Sequence, residues 1–152
     1  MPATTNGKHA EYHRIRKSSH PGCLACDPEN RQGLGLEFHP TGDGAVEASF
    51  SCEKMFQGYP AILHGGIICT ALDAAMTNSL FALGSPSLTV EIKVRFRHQV
   101  AIRQTATVRG RIVASMPPIH DLEAELIQNG KVMATAKAKF IEQKAAGWFG
   151  KG

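Results

Sequence analysis

Aromatic side chains are scarce in this chain, 7% of 152 residues with a single tryptophan. None of them shares an exposed strand face with the cations Lys93, Arg95 and Arg97, so the stacking platform of a single-strand nucleic-acid binder is missing. Cysteine is also sparse: Cys23, Cys26, Cys52 and Cys69 are too few for a disulfide scaffold of this length, and a reducing compartment is expected to keep them as thiols. Charge is absent where it would be most expected. The 36 residues from 55 to 90 hold one charged side chain, Asp73, where average usage predicts about seven. That stretch lacks an unbroken apolar run of about 18 residues, because His64, Gly65, Gly66, Asp73, Asn78 and Pro86 interrupt it, so it reads as buried core and not as a membrane span. No apolar segment follows the basic residues near the start as a secretory signal would require, and the expected setting is cytoplasmic, with no membrane partner.

What remains is ordinary for one globular domain: 43% hydrophobic and 20% charged residues, with no internal repeat and no interdomain linker. The net charge is 17 − 13 = +4. Anionic small molecules suit that surplus better than nucleic acid does.

Residues 1–33 are polar and without a sustained period, and are expected to form an arm or irregular lead-in ahead of a domain over 34–142, with a tail over 143–152. Leu34, Leu36 and Phe38 alternate with polar residues, as do Val46, Ala48 and Phe50 after the turn Thr41-Gly42-Asp43-Gly44, which predicts a hairpin. Ile67, Ile68, Ala71, Leu72, Ala75 and Met76 form one helix stripe, with Thr70, Asp73 and Thr77 on another, in a helix starting near Gly65 and ending before Gly84-Ser85-Pro86. Leu88, Val90, Ile92, Val94 and Phe96 alternate with Thr89, Glu91, Lys93, Arg95 and Arg97, a half-buried strand with a cationic outer face. A strand over 104–115 ends at Met116-Pro117-Pro118, and strands over 119–128 and 131–141 flank Asn129-Gly130, a preferred hairpin pair. The order ββαββββ predicts an α+β fold in which a curved antiparallel sheet wraps one long apolar helix.

Gly65 and Gly66 open that helix, where unpaired backbone N–H groups and the helix dipole favour negative charge. They are either a plain turn or an oxyanion-binding helix start. Asp73 is either an exposed member of the Thr70 and Thr77 stripe or a carboxylate that does chemistry in an apolar setting. It lies eight residues after Gly65, about 12 Å along the helix, too far for both to act on one carbonyl from one chain. Antiparallel pairing of identical helices in a two-fold dimer would bring them together.

His64-Gly65-Gly66, Asp73 within Leu72-Asp73-Ala74-Ala75-Met76, and Thr89 within the strand Leu88 to Phe96 together resemble the hotdog-fold acyl-CoA thioesterases of the phenylacetate-pathway type, over residues 33–142. The resemblance implies a hotdog fold, homodimers that often pair into homotetramers, and active sites at the dimer interface. It assigns Asp73 as general base or nucleophile, Gly65 N–H as the donor that polarises the thioester carbonyl, His64 as its positioning partner and Thr89 as the residue orienting the attacking water. Gln57 is the candidate for an upstream amide, one residue out of the usual spacing, and Ala61 stands where relatives often have Gly. Alternation puts Thr89 on the charged side of its strand, so it reaches such a site only near a sheet edge or interface.

Gly66 is a further candidate substrate contact, and Arg95 and Arg97, with Lys93 and Arg103, are either a solvated face or a grip for coenzyme A phosphates. Cys23-Leu24-Ala25-Cys26 behind His20 has the inner spacing of a zinc knuckle. A second ligand pair is missing, although Cys52, His13 or His39 could complete a site, so neither a metal nor any cofactor is assigned. The leading expectation is hydrolysis of an acyl-CoA thioester to a free acid and coenzyme A. The alternative is a non-catalytic hotdog module that binds an acyl-CoA or fatty acyl ligand; a dehydratase lacks its His and Asp pair.

Overall fold

The computed structural model describes residues 5–145; the Trp148 and Phe149 tail lies outside the described residues. Helix α1 (Thr5–Ser19) precedes β1 (His39–Pro40), β2 (Ala45–Ser51), helix α2 (Gly65–Leu83), β3 (Ser87–Phe96), β4 (Thr105–Met116), β5 (Ile119–Gln128) and β6 (Lys131–Glu142). The six strands form one antiparallel sheet in the order β1-β2-β4-β5-β6-β3. One face of that sheet closes on α2, whose Ile68, Leu72, Ala75, Met76, Leu80 and Phe81 are buried against Phe50, Leu122, Leu126 and Phe140. Among the described residues α2 is the one helix long and apolar enough to cross a membrane, and the sheet accounts for its apolarity.

The ends of α2 follow from its capping residues. His64 is the N-cap, its ring accepting from Gly66 N–H, and Gly84 takes a left-handed conformation at φ 83° that lets its N–H close on the last carbonyls. Helix and sheet approach closely at Gly110 of β4, where a Cβ would lie 2.6 Å from the Ala75 carbonyl. Only a residue without a side chain permits that approach.

Two expectations are corrected. The lead-in contains a helix: α1 docks on α2 through buried Tyr12 and Ile15, and the Tyr12 hydroxyl donates to Asn78 Oδ1 at 2.7 Å. Two apolar anchors three residues apart, surrounded by polar residues, are too few to create a visible helical period. The first hairpin arm is the second correction, since only His39 and Pro40 pair with β2. Leu34 and Leu36 instead give their N–H groups to the Leu24 and Ala25 carbonyls at 2.8 and 2.9 Å. The alternation reported burial of Leu36 and Phe38 correctly, but the backbone partner of Leu36 is the cysteine loop.

Candidate active site

The loop before α2 is held from several sides. His64 N–H donates to the Phe56 carbonyl, Leu63 N–H to Val100 and Gly58 N–H to Ile62, at 2.8 to 2.9 Å. Gln57 faces Leu63 across a short bridge, and its Oε1 accepts from Ala61 N–H at 3.3 Å. Ala61 sits at φ 65°, a left-handed conformation that disfavours any side chain, which explains why Gly suits this position. Gly58, Tyr59, Leu63, His64 and Gly65 line an open cleft of about 420 Å³.

His64 Nδ1 accepts from Gly66 N–H at 2.8 Å, which puts the ring proton on Nε2. Ile67 and Ile68 N–H both turn to the His64 carbonyl. Of the first-turn donors, Gly65 N–H is therefore the one left without a partner among the described residues, while Gly66 is committed to the cap. The Phe96 ring closes over Gly65, 3.6 Å from where its Cβ would be. A small residue at this helix start thus leaves one oriented donor at the positive end of the dipole.

Two turns along α2, Asp73 is half-buried, and Thr89 Oγ1 donates to its Oδ1 at 2.7 Å. Burial raises the carboxyl above its usual pKa; the Thr89 hydrogen bond and the charge of His20 pull it back in part, and the charge of Cys23 adds to the rise. Thr77 is buried too, so the stripe containing Asp73 is not a solvated face.

The reach of Thr89 depends on a β-bulge. Pairing of β3 with β6 slips between Thr89 and Glu91, leaving Val90 without an opposite residue. The slip reverses the alternation, so Thr89 lies opposite buried Phe140 on the helix side while Glu91 pairs with Lys139 on the outer side. Simple alternation placed Thr89 with the charged residues; the bulge moves it to Asp73.

Within one chain the candidates fall into two groups. Gln57, His64, Gly65 and Gly66 gather at the start of α2, and Asp73 and Thr89 meet farther along it. Arg95 and Arg97 join neither; with Lys93, Arg109, Arg111 and Lys137 they line a separate basin of about 540 Å³ on the sheet. A cluster not legible in the sequence, Ser115, His120 and Glu142, has its His Nδ1 2.8 Å from Ser115 Oγ and its Nε2 3.1 Å from Glu142 Oε1. With Ser85 also donating to Glu142 at 2.9 Å, it satisfies a fully buried imidazole at the sheet's end.

A long helix enclosed on one side by a six-stranded antiparallel sheet, with the site candidates at the helix start and along its length, is the hotdog fold. Residues 61–116, the span that carries His64, Gly65, Asp73 and Thr89, match the thioesterase superfamily. The resemblance to the thioesterase superfamily therefore holds over that span. The PaaI protein of the E. coli phenylacetic acid degradation operon superposes with a TM-score of 0.76 at 13% identity, covering 92% of this chain and 96% of that one. A phenylacetic acid degradation-related protein of Ralstonia eutropha JMP134 gives 0.71 at 20% identity over 86% and 98%. A hypothetical thioesterase protein of Streptococcus pneumoniae TIGR4, crystallised with coenzyme A, gives 0.66 at 17% identity over 71% and 88%. That protein has also been crystallised with an aspartate and, separately, a threonine replaced by alanine. This chain spans 63% of the length of a further thioesterase superfamily structure that it resembles with a TM-score of 0.74. Comparison with curated proteins finds no match.

Proposed function

We propose that this protein hydrolyses acyl-CoA thioesters to a free carboxylic acid and coenzyme A, at sites shared by two protomers. The observation that carries the reading is the Thr89 to Asp73 hydrogen bond at 2.7 Å. It fixes one oxygen of a half-buried, poorly solvated carboxylate and leaves the other to take a proton. Burial raises Asp73 toward the pH at which a general base works best. The unpartnered Gly65 N–H at a helix start is the matching electrophilic element. The aspartate and threonine replaced in the Streptococcus pneumoniae protein are 16 positions apart, the separation of Asp73 and Thr89 here.

In the proposed reaction Asp73 removes a proton from water as the oxygen attacks the thioester carbonyl carbon. The oxygen that gains charge is received by Gly65 N–H. Collapse breaks the C–S bond, and the coenzyme A thiolate recovers the proton. Thr89 orients Asp73 and the water, while His64 holds the turn that aims Gly65. Both groups meet at one carbonyl when α2 helices of two protomers lie antiparallel, Gly65 of one beside the partner's Asp73. The edge strand β3 supports such a dimer: Val90, Ile92 and Phe96 are 46%, 37% and 54% exposed, an apolar row on an open sheet edge. Arg95 and Arg97 lie in the cationic basin on the outer face of the sheet, and we assign the phosphates of coenzyme A to these cations. The four unpaired cysteines suit a cytoplasmic setting.

The test is release of free thiol from short, long and aromatic acyl-CoA substrates, with Asp73→Asn alongside and sedimentation to establish the assembly. Turnover of at least one substrate, lowered about 10²- to 10⁴-fold in kcat by the substitution, is expected. Wild-type turnover by the variant would remove Asp73 from the mechanism. An active monomer would overturn the shared site, and tight binding without turnover across the panel would replace the enzyme by an acyl-CoA-binding module.

A further inference from the structure

The loop after α1 is wound around three side chains that thioester hydrolysis does not use. His20, Cys23 and Cys26 follow one another at intervals of three, and their ring nitrogen and two sulfurs all lie within 4.8 Å of one another. Cys26 Sγ stands 3.6 Å from His20 Nδ1. A tetrahedral zinc with bonds of about 2.3 Å to sulfur and 2.0 to 2.1 Å to nitrogen places those two atoms about 3.6 Å apart. The nitrogen and sulfur are thus already at the spacing of two ligands on one ion.

The surrounding backbone supports the same reading. Ala25 N–H is 3.4 Å from Cys23 Sγ, so an amide dipole is aimed at the sulfur. Cys23 N–H closes on the His20 carbonyl and Asp27 N–H on the Cys23 carbonyl, at 3.3 and 3.2 Å. Asp27 ties the loop through Gly22 N–H at 2.6 Å and Glu29 N–H at 2.9 Å, and Arg16 Nη1 donates to the Cys26 carbonyl at 3.1 Å. Gly33 closes the far side, where a Cβ would come within 2.1 Å of the Leu24 oxygen. The His20 ring packs edge-on to Phe81 of α2 at 4.9 Å, which orients it toward the sulfurs. Hydrogen bonds that fix ligand orientation in advance are the usual support of a metal site. Cys52, His13 and His39, the residues considered from sequence as completing ligands, do not join the cluster.

We propose that His20, Cys23 and Cys26 bind one zinc(II) ion through an imidazole nitrogen and two thiolates, with the fourth position taken by water or another external donor. Binding expels the two thiol protons to solvent and changes no oxidation state. The ion would close the loop that follows α1 on itself, with the His20 ring packed on Phe81 of α2. The site stands independently of the acyl-CoA reading, since none of its ligands takes part in that reaction.

The test uses the full chain without a histidine tag, produced with zinc and kept reduced, with elemental analysis for bound metal and cobalt(II) substitution followed by visible absorption. One zinc per chain and a cobalt spectrum with thiolate-to-metal charge transfer and intense tetrahedral bands are expected. Cys23→Ser, Cys26→Ser and His20→Ala should each weaken zinc binding at least about tenfold, whereas Cys69→Ser should leave it unchanged. Wild-type protein with every thiol titrating as reduced, yet with no zinc and no cobalt spectrum, would overturn the proposal. So would full metal content in the Cys23 and Cys26 variants; should those variants not fold, the cobalt spectrum of the wild type decides.

Discussion

Exchanging Asp73 for Asn should stabilise the fold at neutral pH even as it removes the proposed base. Burial holds the Asp73 carboxyl above its ordinary value of 3.8, against the opposing pull of Thr89 and His20. The folded chain then binds that proton more tightly than the unfolded chain does. Stability is therefore lost as pH rises from the unfolded value through the raised folded value, and the full penalty stands above it. Asparagine carries no charge to desolvate and still offers an oxygen to the Thr89 hydroxyl, whose present bond is 2.7 Å. Each pKa unit corresponds to about 1.4 kcal/mol, so the change in the stability difference between low pH and pH 7 reports the elevation; a gain of about 0.5 to 2 kcal/mol is the usual size for a single stabilising substitution. Urea unfolding of both proteins at pH 7 and at about pH 4, at matched protein concentration, is the assay. The variant should be the more stable at pH 7, with an advantage that shrinks on acidification. A variant equally or less stable at pH 7, or an advantage untouched by acid, would refute the claim that desolvation dominates at Asp73.

Gly110→Ala should cost roughly 1 to 3 kcal/mol, because its Cβ would stand 2.6 Å from the Ala75 backbone and α2 would have to lift from β4; an unchanged denaturation midpoint would show that the helix yields freely. Tyr12→Phe leaves Asn78 Oδ1 without its donor in a structure with no other buried, unpartnered side-chain polar atom among the described residues. A loss of about 1 to 3 kcal/mol is expected, with α1 amides exchanging faster by hydrogen exchange. Unaltered exchange in α1 would mean that Ile15 alone holds the helix down.

From β2 onward, what depends on contiguous residues was legible without coordinates. The extent of α2 follows from its apolar stripe between His64 and Gly84, the β5 to β6 hairpin from Asn129-Gly130, and β3 from its alternation. Asp73 stood out because it is the one charge in a 36-residue span, and an isolated carboxylate there requires a partner or a task. Its partner was not legible in the residue pattern alone. Alternation assigns Thr89 to the wrong face, because a bulge is a property of how β3 registers against β6, and no residue of β3 announces the extra position.

The sequence by itself thus determined the order of elements from β2 onward, the bounds of the central helix and the candidates His64, Gly65 and Asp73, since periodicity, caps and turn residues act within a few positions. Tertiary structure alone decided that Thr89 meets Asp73, that Gly66 N–H is spent on the His64 ring so that Gly65 is the free donor, and that His20, Cys23 and Cys26 converge. Those outcomes rest on a bulge, a side-chain cap and a loop closed over Leu24 through Gly33. The bulge is set by how β6 arrives alongside β3, whereas the cap and the loop closure are short-range contacts whose geometry the residue pattern does not announce.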